Sequence, residues 1–122
     1  MATATQRGST PFRLLDVDES EEEIKASPGV LNWLYIHNND ASAVHYIKLY
    51  DLTAANCTVG TSTPVMVIPV EASVQGVTLF FGEKDRGLNF ANGICIAALT
   101  GVADADTTGA GTNEVVVSGG YW

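Results

Sequence analysis

The chain has 122 residues, enough for one domain, which at this size buries roughly two-thirds of the surface its unfolded form exposes. Hydrophobic residues make up 46 % and charged ones only 16 %, a balance that favours collapse and excludes disorder over most of the length. The net charge of -8 repels nucleic-acid phosphates and anionic headgroups, and no Lys/Arg cluster offers an exception, so nucleic acid and membrane are excluded as partners.

Residues 1–28 read as an extended N-terminal arm with an acidic segment, and 29–122 as a β-sandwich domain. The opening MATATQRGSTP is small, polar and without period; such an arm buries little of itself and is most easily ordered by lying on another chain. In FRLLDVDESEEEIKAS, Asp16, Asp18, Glu19, Glu21, Glu22 and Glu23 concentrate much of the chain's acidity. SEEEIK fits the start of a short helix capped by Ser20, with Glu23 three residues on and Pro28 ending it. It fits equally an edge strand through Glu22 to Ser27 whose charges discourage aggregation.

From Gly29 the period is two. VLNWLYIHN places Val30, Leu34 and Ile36 toward a core and an aromatic row on the opposite face. NND turns the chain, and AVHYIKLYD alternates Ile47 and Leu49 against Tyr46, Lys48 and Tyr50, a half-buried strand expected to form a hairpin with its predecessor. LTAANCTVGTSTP is a polar surface crossing. PVMVIPV follows as a strand that Pro69 confines to an edge or a bend. VTLFF puts Val77, Leu79 and Phe81 on one face, GEKDRG is a charged turn, and a short LNF piece precedes the apolar strand Ile94 to Leu99. DADTTGAGTN is a long loop before the final strand EVVVSGGYW. Seven to nine short strands, with no helical period of ten residues, predict an all-β, single-domain antiparallel sandwich or jelly-roll-like barrel.

Candidate chemistry is sparse. Cys57 and Cys95 are too few for a disulfide framework; they allow one disulfide or two free thiols, and free thiols are favoured, Cys95 as a small buried hydrophobe within GICIAAL. His37 and His45, with Asp40 between them, are the one metal-like grouping, but they lack further ligands at a recognisable spacing, so no metal site is assigned. Residues 104–114 superficially match a calcium loop, yet Val115 stands where the bidentate Glu is required and Glu114 is one place early, which leaves an Asx-turn-rich loop. No nucleophile elbow, phosphate loop or dinucleotide fingerprint occurs, so neither an enzyme nor a cofactor is expected. No charged start precedes an apolar run, and the apolar stretches are of strand length, so neither a signal peptide nor a membrane span is expected and assembly in a cytoplasm is.

The order of phrases resembles a group of small all-β structural proteins of tailed bacteriophages, cyanophages included. The likeness runs over residues 29–122 and is carried by Ile47 to Asp51 (IKLYD), Val59 to Val65 (VGTSTPV) and Gly93 to Thr107 (GICIAALTGVADADT). It implies a virion structural protein assembled in the host cytoplasm. The expected role is a capsid decoration, or cement, protein on the outer capsid surface, binding across major capsid protein subunits as a trimer or dimer. The motif marks fold positions, so it carries over no functional residue. Partner contact is expected instead at the acidic run Asp16, Asp18, Glu19, Glu21, Glu22 and Glu23 and at Phe12, Tyr121 and Trp122. The row of Trp and Tyr and the Asn/Asp/Thr-rich loops suggest an alternative, a receptor- or carbohydrate-binding module of a head or tail fibre.

Overall fold

The computed structural model describes residues 8–73 and 76–122, and the opening arm of residues 1–7 lies outside them. Among the described residues there are nine strands: β1 (Thr10–Leu14), β2 (Glu22–Lys25), β3 (Gly29–Asn38), β4 (His45–Tyr50), β5 (Met66–Val70), β6 (Val77–Phe80), β7 (Leu88–Phe90), β8 (Ile94–Leu99) and β9 (Val115–Tyr121). They form two antiparallel sheets. The five-stranded sheet runs β1-β9-β3-β6 with β7 also on β3, and the four-stranded sheet runs β2-β8-β4-β5. The result is an open sandwich rather than a closed barrel.

Alternation builds the core between the sheets. Leu34 and Ile36 of β3 and Val115 and Val117 of β9 meet Ile47 and Leu49 of β4 and Ile94, Ile96 and Ala98 of β8. Each fully buried aliphatic side chain of this kind contributes about 1.5–3 kcal/mol. A register shift between Leu31 and Trp33 changes the parity of β3 at Asn32. Leu31 therefore joins the main core cluster, while Val30 is buried outside it, beside Gly87. The buried Asn32 side chain donates to the carbonyls of Gly82 (2.8 Å) and Lys84 (2.7 Å). These bonds pin the charged turn that divides β6 from β7, two short strands laid end to end along β3.

Three expectations change. β3 and β4 are not a hairpin: they belong to opposite sheets, because residues 39–44 cross from one to the other and Asn38 anchors the crossing by donating to the carbonyls of Ala43, Val70 and Glu71. The stretch 51–65 joins β4 to β5 within one sheet and folds over its outer face, so that Cys57, Leu52, Ala54 and Val59 cover Tyr50, Cys95 and Ala97. β4 is consequently buried on both faces, Lys48 included, whose ammonium donates to the Ala103 carbonyl at 2.5 Å. Finally, residues 10–25 are not an arm. β1 pairs with β9, β2 pairs with β8 and Val17 and Ile24 enter the core, so the division expected at residue 28 does not separate arm from domain. Edge pairing wins over the helix at Glu22–Lys25 because Ile24 has a core position to fill. As expected, β5, with Pro69, is an edge strand.

The glycine pair of VSGGYW serves both faces of β9. A methyl at Gly119 would stand 2.5 Å from the Trp33 carbonyl oxygen and 2.6 Å from the Phe12 ring, and one at Gly120 would strike the Trp33 indole. Phe12 thus packs over Gly119 and Trp33 over Gly120. Gly119→Ala is expected to lower the free energy of unfolding by about 1–3 kcal/mol, whereas Ser118→Ala stays within about 0.5 kcal/mol. Urea unfolding of the two variants checks this, and equal midpoints would contradict the interlock.

Candidate functional site

The acidic segment bridges the two sheets. The Val17 amide donates to the Val115 carbonyl of β9 (3.0 Å), and the Ala98 amide of β8 donates to the Asp18 carbonyl (2.9 Å). Several of its carboxylates work within the fold. Asp16 accepts from the Asn113 amide (2.8 Å), Asp18 from the Ser20 amide (2.8 Å) and Glu23 from the Ala54 amide (3.2 Å), while Glu19 lies against Gly109. Glu21 and Glu22 are half-buried. Partial burial, then the charges of Asp18 and Asp16, hold the Glu22 carboxyl above its ordinary value. The run is therefore a latch along one side of the sandwich, with Glu19 and Glu23 its exposed residues.

Of the aromatic candidates, Phe12 and Tyr121 pack against the core and against each other, with ring centres 6.4 Å apart, and Lys25 stands 5.7 Å above the Tyr121 ring. Trp122 exchanges backbone hydrogen bonds with Val30 (2.7 and 2.8 Å), which fixes the end of the chain and leaves its indole partly exposed above a groove lined by Lys25, Pro28, Gly29 and Asn89. The larger exposed surface lies elsewhere. On the outer face of the five-stranded sheet, Trp33 pairs across strands with Phe80 and Tyr35 with Thr78. Phe80 is 69 % exposed and Tyr35 42 %. The alternation of VTLFF, with Leu79 and Phe81 inward, implies an outward Phe80.

Asp40 and His45 do come together, and their third partner is Glu114 rather than His37. His45 Nε2 stands 3.0 Å from Asp40 Oδ2 and 3.2 Å from Glu114 Oε2. The Asp40 carboxylate also accepts from Ser42 N–H (2.9 Å) and Ala43 N–H (3.1 Å), and these bonds, the Ser42 one foremost, together with the imidazole lower its pKa below the ordinary 3.8. No spacing rule would have found Glu114, because the β3–β4 crossing is what brings the loop before β9 to the start of β4. His37 lies on β3 opposite Val116, outside this cluster.

The two thiols are free and buried, Cys57 in the 51–65 loop and Cys95 on β8 beneath it. Burial raises both, and pushes the neighbouring Tyr50 hydroxyl up to about 12. Such thiols are protonated and inert as nucleophiles. In the 104–114 loop Asp106 accepts from Gly101 N–H (2.6 Å) and Thr108 N–H (3.1 Å), the expected Asx-turn geometry, and the Thr108 bond leads the causes that lower its carboxyl below 3.8.

Glu22 and Asp106 make opposite contributions to acid stability. Raised in the fold, Glu22 opposes folding when ionised, a penalty that disappears below its unfolded value of 4.5. Asp106, lowered in the fold, supports folding above 3.8 and loses that support as pH falls through its folded value. Glu22→Gln is expected to raise the urea midpoint at neutral pH and to match the parent below pH 4.5, and Asp106→Asn to lower it at neutral pH and converge with the parent in strong acid. Denaturation series against pH check both signs. Compared with known proteins, the chain matches no family model, no curated protein and no solved structure.

Proposed function

We propose that this chain is a structural protein of a tailed-bacteriophage virion, a capsid decoration protein seated on the outer surface across neighbouring major capsid protein subunits as a trimer or dimer. The observation that carries the reading is the outward face of the five-stranded sheet, where the exposed Tyr35 and Phe80 flank a half-buried Trp33. Aromatic side chains of this kind supply much of the affinity at protein interfaces. The phrases at Ile47–Asp51, Val59–Val65 and Gly93–Thr107, which resemble phage structural proteins, favour a capsid partner. The carboxylates of residues 16–23 add electrostatic steering toward a basic capsid surface, and the edge strands β2 and β5 of the four-stranded sheet offer strand addition.

The same aromatic face favours one other reading, a receptor- or carbohydrate-binding module of a head or tail fibre, since flat rings stack on sugars. Rebinding to heads stripped of the protein separates the two. Decoration predicts many copies per head, heads that resist heat and osmotic shock better once it is bound, and loss of binding in Phe80→Asp. Phe80 is exposed enough for that variant to keep its fold. Confinement to the tail or a single vertex, or binding to a glycan array that Phe80→Asp abolishes, would sink decoration in favour of the fibre module.

A further inference from the structure

We propose that Asp40, His45 and Glu114 form a binding site for a divalent transition-metal ion of the Zn2+ type, which ties the two sheets together at one end of the sandwich. The three ligand atoms lie within 4.8 Å of one another. Metal–ligand bonds of about 2.0–2.2 Å set at tetrahedral to octahedral angles separate adjacent donors by roughly 2.9–3.6 Å. The imidazole nitrogen already stands 3.0 and 3.2 Å from the two carboxylates, so occupation requires little movement.

Charge argues for a cation. Two carboxylates converge on one nitrogen of an imidazole that is 2 % exposed, and a neutral ring offers them a single proton. Among the described residues no Lys or Arg forms a salt bridge with either carboxylate. A divalent ion on Nε2 satisfies both at once. One imidazole with two carboxylates suits Zn2+, Co2+ or Mn2+ better than Ca2+, which takes six to eight oxygens.

The supports are built in. Asp40 Oδ1 is held by Ser42 and Ala43 amides, leaving Oδ2 for the ion, and Asn38 Oδ1 accepts from the Asp40 amide (3.0 Å). Glu114 Oε2 accepts from the Gly111 amide (2.8 Å). Glu114 retains partial exposure, so water completes the coordination. Among the described residues His45 Nδ1 has no hydrogen-bond partner, and a metal on Nε2 places the ring proton there. A missing outer acceptor lowers metal affinity about 10–100-fold, which makes this a site of moderate rather than tight affinity.

The test is thermal unfolding and titration calorimetry of the chelator-treated chain with ZnCl2, CoCl2 and CaCl2 at fixed neutral pH. Zn2+ and Co2+ are expected to bind with one ion per chain and raise the melting temperature, Co2+ to develop a visible absorption band, and Ca2+ to do neither. Glu114→Gln, a part-exposed position that keeps its amide-accepting oxygen, is expected to weaken Zn2+ binding at least about tenfold while unfolding as cooperatively as the parent without metal. Absence of a Zn2+ shift in the parent, or a shift that survives unchanged in Glu114→Gln and in His45→Asn, overturns the proposal. So does stabilisation by mild acid alone, which would make the proton the triad's occupant.

Discussion

The four-stranded sheet is covered on both faces, and the loops have to follow from that. β8 carries six consecutive buried residues, Ile94 to Leu99, and β4 buries five of its six. One face of these strands meets the other sheet across the core; the opposite face needs a separate roof. The 51–65 connection supplies it above Tyr50, Cys95 and Ala97, and the loop after β8 supplies it above Lys48. Removing either roof would expose a flat apolar surface, and it would leave the Lys48 ammonium without the Ala103 carbonyl. The loops are therefore part of the packing, which accounts for the Asx turns and side-chain caps that hold them.

Strand positions were legible because alternation is a local signal. Ile47 and Leu49, Val77 and Leu79, and the edge character that Pro69 forces on β5 could all be read from short windows. The continuous run of β8 was legible as buried, but its cause, cover from two sides, was not. Pairing was the part that failed to show. NND between two alternating runs reads as a hairpin turn, and the Asn38 side chain, tied to the Ala43 carbonyl of the crossing and to Val70 and Glu71 at the end of β5, holds the chain on its way into the opposite sheet. Nothing local distinguishes that Asn from one in an ordinary turn. The same diversion hid Glu114 from any argument based on spacing.

The acidic segment shows how a composition signal can mislead. Six carboxylates in eight residues suggest a free charged tail, yet Val17 and Ile24 are buried among them and the backbone on either side bonds to both sheets. Amides of Asn113, Ser20 and Ala54 take up three of the carboxylates. Repulsion remains, as the raised Glu22 carboxyl records, and it is offset by the two apolar anchors. Surface charge and structural latch are one and the same segment, so whatever docks on those carboxylates touches a part of the molecule that also closes the sandwich.

The chain changes sheet at nearly every step: only β4 to β5 and β6 to β7 stay on one side, and β1 must wait for β9. Pairings between distant segments are slow to find, since each closes a long loop before any contact rewards it. Little of this sandwich can assemble piecemeal on the ribosome, because the five-stranded sheet lacks its second strand until β9 emerges. Until then β3 shows a bare edge, and the nascent molecule is open to pairing with a neighbour's strand instead of its own.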